Sequence, residues 1–181
     1  NHFPSLNLIG ILLIKKGKLQ DARDALEKAV KINPKFTDAQ LNLGNIFQKL
    51  GQLNLAVNCY LKVLKIDPYR AEVHNNLAIT FRELKDQKKA INHCKKAIKL
   101  NPKLSIAYNT LGVLYRELGE KQKAINHFKK AVKYDSKNLS YLYQLADLKE
   151  EILDSHLKKI IHKLIKSKNS SKNNLAYGNL L

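Results

Sequence analysis

Prolines at positions 34, 68 and 102 are separated by one constant interval, 34 residues, and the same interval carries Gly10 to Gly44 and Gly17 to Gly51. At twice that interval Gly44 returns as Gly112 and Gly51 as Gly119. Chain punctuation at a fixed period is incompatible with one irregular core. It calls for a stack of similar units, each burying its apolar face on the next, so that function is sought on a shared surface.

Alignment on the prolines gives four units, residues 3–36, 37–70, 71–104 and 105–138. The eighth place of each holds Gly10, Gly44, Ala78 and Gly112, and the twentieth holds Ala22, Ala56, Ala90 and Ala124. Small residues at fixed places on two successive amphipathic segments allow two helix axes to approach closely. Apolar residues recur at helical spacing around them: Ile9, Leu43, Leu77 and Leu111, then Leu13, Phe47, Phe81 and Tyr115. On the second segment Leu26, Tyr60, Cys94 and Phe128 are each followed three residues later by a small or β-branched residue. Gly17, Gly51 and Gly119 stand where the first helix must end and a positive φ is needed. Lys85 occupies that place in the third unit, which predicts its least relaxed turn. Asn33-Pro34, Asp67-Pro68 and Asn101-Pro102 end the second helix, because proline disfavours α geometry in the residue before it. Asp135-Ser136 replaces that pair in the fourth unit.

This pattern resembles the tetratricopeptide repeat family over residues 3–138. It departs from the family at the fourth place, where the usual large aromatic is Leu6, Gln40, His74 and Tyr108, and at the missing last proline. The resemblance implies an all-α fold, a right-handed superhelical solenoid of antiparallel helix pairs whose first helices line a concave groove for peptides or protein segments.

Beyond the repeats, Tyr141, Leu142, Leu145, Leu148 and Ile152 continue an apolar stripe, and Asp154 is placed to cap a further helix carrying Leu157, Ile160, Ile161, Leu164 and Ile165. Residues 139–166 are expected to form helices that cap the open end of the stack, and residues 167–181 a loop and the start of a truncated further segment. The chain has no methionine and closes on Leu180-Leu181, which suggests a piece of a longer protein. From Ile152 onward it is similar to the stretch joining repeats to the catalytic domain of bacterial repeat-containing sulfotransferases. That likeness implies a parent with a sulfonucleotide-dependent domain, none of whose catalytic residues lie in this chain. A cut solenoid could also stack end to end.

The formal net charge is +18. Two lysine columns account for part of it: Lys28, Lys62, Lys96 and Lys130, and Lys31, Lys65, Lys99 and Lys133, all on second helices. Polyanion binding is one reading of this basic outer face, and a solvated surface is the other. Only Arg23, Arg70, Arg82 and Arg116 among the 33 basic residues are arginine, and no aromatic residues are expected to interleave the lysine columns as base-stacking platforms, both of which weigh against nucleic acid.

A column of asparagines on the first helices is expected to face a bound segment: Asn42, Asn45, Asn75, Asn76 and Asn109, with Arg82 and Arg116 toward the far end. An amide both donates and accepts, so such a row can bind the backbone of an extended peptide whatever its side chains. Asn42 and Asn76 match places in the asparagine ladder of O-linked N-acetylglucosamine transferases, which this face is similar to. Glu72 and Asn76 stand where repeats that clamp a carboxylate carry basic residues, which disfavours that class of partner. The leading expectation is therefore a non-catalytic protein-binding scaffold; the alternatives are a recognition arm of a larger sulfotransferase or glycosyltransferase, and a polyanion binder. No nucleophile and base pair or phosphate loop stands out, and no catalytic residue or cofactor is assigned. Cys59, His93 and His127 share one place in successive units, but helices 8 to 10 Å apart cannot bring three such donors to one zinc, and no metal is assigned. The two cysteines, Cys59 and Cys94, suit a core in a reducing compartment, and with no signal peptide or spanning segment in the sequence the expected location is cytoplasmic.

Overall fold

The computed structural model describes residues 2–148, and every regular element among them is α-helical. The helices expected beyond this stretch, with Asp154 and the segment resembling a sulfotransferase junction, lie outside the described residues. Two compact units divide the chain after Pro102. The first holds α1 (Phe3–Lys15), α2 (Leu19–Ile32), α3 (Thr37–Lys49), α4 (Leu53–Ile66), α5 (Ala71–Glu83) and α6 (Gln87–Leu100); the second holds α7 (Ser105–Glu117), α8 (Lys121–Tyr134) and α9 (Leu139–Ala146).

Within the first unit the helices pair in chain order, α1 with α2, α3 with α4 and α5 with α6, and each pair leans on the next through α2 with α3 and α4 with α5. The core follows the repeat. Ala22, Leu26, Ile46, Ala56, Tyr60, Val63, Val73 and Leu77 are completely buried in one apolar cluster. Burying a side chain the size of leucine contributes about 1.5 to 3 kcal/mol, so most of the stability comes from this seam. The small eighth place has a specific cause. A Cβ on Gly10 would lie 2.7 Å from Leu26, one on Gly44 would lie 2.6 Å from Tyr60, and in the second unit one on Gly112 would lie 2.6 Å from Phe128. The third repeat carries Ala78, and there the residue at the matching place is the smaller Cys94; both are fully buried.

The first helices end in a shared turn. Gly17, Gly51 and Gly119 take φ of +75°, +73° and +74°. At α3 the Gln52 N–H reaches back to the Phe47 carbonyl at 2.8 Å, a Schellman closure that needs the left-handed residue between them. Lys85 adopts the same geometry at φ 63°, with the Asp86 N–H bonded to the Phe81 carbonyl at 2.8 Å, so the motif overrides the side chain's preference. Because a left-handed conformation costs a non-glycine residue about 1 to 2 kcal/mol, part of it offset by glycine's extra freedom when unfolded, Lys85→Gly should stabilise the protein by about 0.5 to 1 kcal/mol. Urea unfolding will show this as a higher midpoint at constant slope, and a lower midpoint would refute the strain.

The second helices stop where the prolines require. Asn33, Asp67 and Asn101 are extended at φ −134°, −131° and −133°. Asn33 and Asp67 each bend the chain around the following proline by accepting a backbone N–H two residues on, at 3.1 and 3.2 Å. Asp135 also leaves the helical region, at φ −145° and ψ 80°, so the break survives the loss of proline at Ser136. In the second unit α9 packs on α8 and buries Tyr141, Leu142 and Leu145.

Candidate functional site

The first helices of the leading unit carry a row of amides that bond to one another across helices. Asn42 on α3 donates its Nδ2 to Asn7 Oδ1 on α1 at 2.9 Å, and Asn76 on α5 donates to Asn45 Oδ1 on α3 at 2.9 Å. Asn45 Oδ1 also accepts the Tyr60 hydroxyl at 2.8 Å, which ties the row to the core of the α3–α4 pair. Farther along, Gln48 Nε2 meets Glu83 Oε1 at 3.4 Å. Each rung spends one donor and one acceptor. Among the described residues, Asn7 Nδ2 and the Oδ1 atoms of Asn42 and Asn76 take no further hydrogen bond, and all three side chains are partly exposed. The row is thus self-braced and still offers donors and acceptors to a ligand.

The other residues expected on this face are placed differently. Asn75 is 1% exposed, with its Oδ1 buried and unpartnered, so it cannot meet a ligand from solvent. Asn109, in the second unit, is partly exposed, but its Oδ1 is likewise buried without a partner. Arg116 is drawn to α9 and the residue after it, donating to Gln144 Oε1 at 2.5 Å and to Asp147 Oδ2 at 3.4 Å. Arg82 is partly exposed near the end of α5. An ion triad that the sequence did not reveal lies at the other end of these helices: Arg70 reaches Glu72 through Nε and Asp38 through a terminal nitrogen, both at 3.0 Å. It clamps the N-terminus of α5 to that of α3 and offsets the two carboxylates at that end of the amide row.

All eight column lysines are exposed. Contrary to the linear reading, aromatics do accompany them. Lys130 Nζ lies 5.6 Å from the Tyr108 ring centre, Lys133 Nζ lies 6.0 Å from that of Tyr134, and Tyr69 is 77% exposed on the side of the first unit that carries Lys96 and Lys99. Tyr134 directly follows Lys133 on α8, whereas Tyr108 reaches Lys130 from α7, a place of the repeat that a search along one segment does not detect.

The histidines at the shared place are packing residues between helices. His93 Nδ1 is 3.0 Å from His74 Nδ1 and its ring stacks on Phe81; His127 stacks on both Tyr108 and Tyr115. Burial pushes the Cys59 thiol up to about 11 and the Cys94 thiol up to about 12, so both stay protonated and unreactive. Among the described residues no three His, Cys, Asp or Glu side chains are grouped to hold a metal ion, and no helix is long and apolar enough to cross a membrane.

Two family models match the sequence. The one described as tetratricopeptide repeat covers residues 71–104 and 105–138, and the one described as TPR repeat covers 10–51 and 44–84. No curated protein matches. Among solved structures, the crystal structure of MamA is 24% identical, covering 90% of this chain and 95% of that one at a TM-score of 0.69. PilF of Pseudomonas aeruginosa is 23% identical, over 98% of this chain and 80% of that one, at 0.78. TTC0263, a thermophilic TPR protein of Thermus thermophilus, is 21% identical, over 98% of both chains, also at 0.78. At such identities the likeness concerns the fold.

Proposed function

The chain belongs to the tetratricopeptide repeat family, and on that premise we propose that it is a non-catalytic scaffold holding an extended peptide or protein segment along the amide row of α1, α3 and α5. One observation carries this reading: Asn7, Asn42 and Asn76 are fixed by bonds between helices and yet keep unspent donors and acceptors at the surface. A row arranged in this way suits a peptide backbone, which presents alternating N–H and C=O groups irrespective of sequence. Arg82 lies toward the far end of α5 and suits an acidic residue of such a segment.

The test uses a peptide selected from a random display library on the wild-type chain. Two hydrogen bonds at about 0.5 to 1.5 kcal/mol each predict roughly tenfold weaker binding to the Asn42→Ala, Asn76→Ala double variant. Replacing the contacted peptide amides by esters should cost a similar factor on the wild type and nothing more on the variant. Equal affinity of the wild type and the double variant would remove the row from the binding site.

A further inference from the structure

A cleft in the first unit lies away from the amide row. Asn76 and His74 are two residues apart on α5, about 200° around the helix, and His74 lines a cleft of about 470 Å³ between the ends of α4 and α6 and the turn that joins α4 to α5. That volume falls within the range usual for ligand sites. Leu64, Pro68 and Leu100 supply its apolar part, Tyr69 an exposed aromatic side chain, and Lys96 and Lys99 two ammonium groups. Leu100 is 36% exposed, so the apolar part is accessible to solvent.

Neither ammonium group of the cleft, Lys96 or Lys99, is held in an ion pair among the described residues, and in the turn beside them the Asp67 carboxylate accepts the Tyr69 N–H at 3.2 Å. That turn also holds Tyr69 at the cleft. The preceding repeat provides an internal comparison. One period earlier the same places hold Val30, Pro34, Lys35, Gln40, Lys62, Lys65 and Ile66, so the lysines and the proline persist while the aromatic becomes a further lysine. The lysines at this cleft thus recur in the preceding repeat, whereas the exposed aromatic beside them does not.

We propose that the cleft formed by Tyr69, Leu64, Leu100, Lys96 and Lys99 is a second docking site, for a peptide in which acidic residues alternate with bulky apolar ones. The carboxylates pair with Lys96 and Lys99, and the apolar side chain lies on Leu64 and Leu100 against the Tyr69 ring. Both components are needed, since exposed ion pairs alone contribute little and are screened by salt.

The probe is a fluorescein-labelled octapeptide of alternating glutamate and leucine, followed by anisotropy at physiological salt against the full chain. A glutamate and serine octapeptide is the control. The expected result is saturable binding of the first peptide, at least tenfold weaker binding of the second, and at least a tenfold loss for both Tyr69→Lys and Lys96→Glu, Lys99→Glu. All three side chains are exposed, so these variants should remain folded. The Asn42→Ala, Asn76→Ala variant should bind as the wild type does, which separates this site from the amide row. Absence of binding overturns the proposal, as does equal binding of the two peptides, which would reduce the site to charge alone. Retention in the cleft variants, or loss in the asparagine variant, overturns it equally.

Discussion

Gly44→Ala is expected to destabilise the protein by about 2 to 3 kcal/mol, at the upper end of what one added methyl costs in a packed core. The new Cβ would sit 2.6 Å from Tyr60 Cε1 and 2.9 Å from its Cδ1. The ring cannot withdraw, because Tyr60 is fully buried and its hydroxyl bonds to Asn45 at 2.8 Å and to Gln48 at 3.3 Å. The repeat itself supplies the compensating change, since Ala78 is accommodated where the matching residue is Cys94. In a Tyr60→Cys background, itself destabilised by about 3 kcal/mol or more through the cavity it leaves, Gly44→Ala should become neutral or stabilising by up to about 1 kcal/mol, because alanine favours the helix. The expected coupling is therefore about 3 kcal/mol, far above the non-additivity of unrelated sites. Urea unfolding of the four proteins measures it. An equal cost of Gly44→Ala in both backgrounds would disprove the idea that the eighth place is chosen to fit the facing side chain.

The architecture was legible in the sequence because its determinants are local and repeated. A glycine facing Leu26, Tyr60 or Phe128 and a glycine in the turn each answer a steric demand that recurs every unit, and Lys85 could be recognised as strained from its departure alone. The amide row was legible only in composition. The bonds run from the fifth place to the sixth, Asn7 to Asn42, and from the ninth to the sixth, Asn45 to Asn76, so they cross the in-phase columns that alignment produces. Side chains on helices packed at an angle meet partners at shifted places, and the shift depends on packing that the period does not encode.

The same reasoning explains Asn75 and Arg116. Asn7 and Asn75 share a place, but α5 is flanked by α3, α4 and α6 whereas α1 contacts α2 and α3, and the more enclosed helix buries its asparagine. Arg116 shares the place of Arg82 in the repeat, but α9, which lies outside the repeats, supplies Gln144 to hold it. The triad around Arg70 joins residues 32 positions apart and depends on the N-termini of α3 and α5 being adjacent, which the linear pattern does not show.

Acidification should act through His74 and His93. Their Nδ1 atoms face each other at 3.0 Å, so one must accept a proton from the other and both cannot be charged without strong repulsion. Burial is the main cause that lowers both; the mutual charge and Lys96 add to it at His93, and at His74 Lys96 lowers it further while the Pro68 carbonyl opposes. His93 falls from 6.5 to about 4. A folded-state pKa below the unfolded value means that the unfolded chain binds the proton first. The associated stability is then complete above about pH 6.5 and is lost as the pH falls toward 4, most of it before carboxylates titrate. Moving one imidazole this far is bounded at about 3 kcal/mol, and its partial contact with solvent lowers the expected loss to about 2 kcal/mol between about pH 7 and pH 4.5. The fourth repeat already shows the alternative, with Tyr108 at the place of His74 and its ring stacked on His127. His74→Tyr should therefore flatten the pH dependence of urea unfolding by removing one titrating group and the charge that disfavours a proton on His93. If the variant loses as much stability as the wild type over that interval, the histidine pair is not the source of the acid sensitivity, and the loss must come from groups outside the α5–α6 contact.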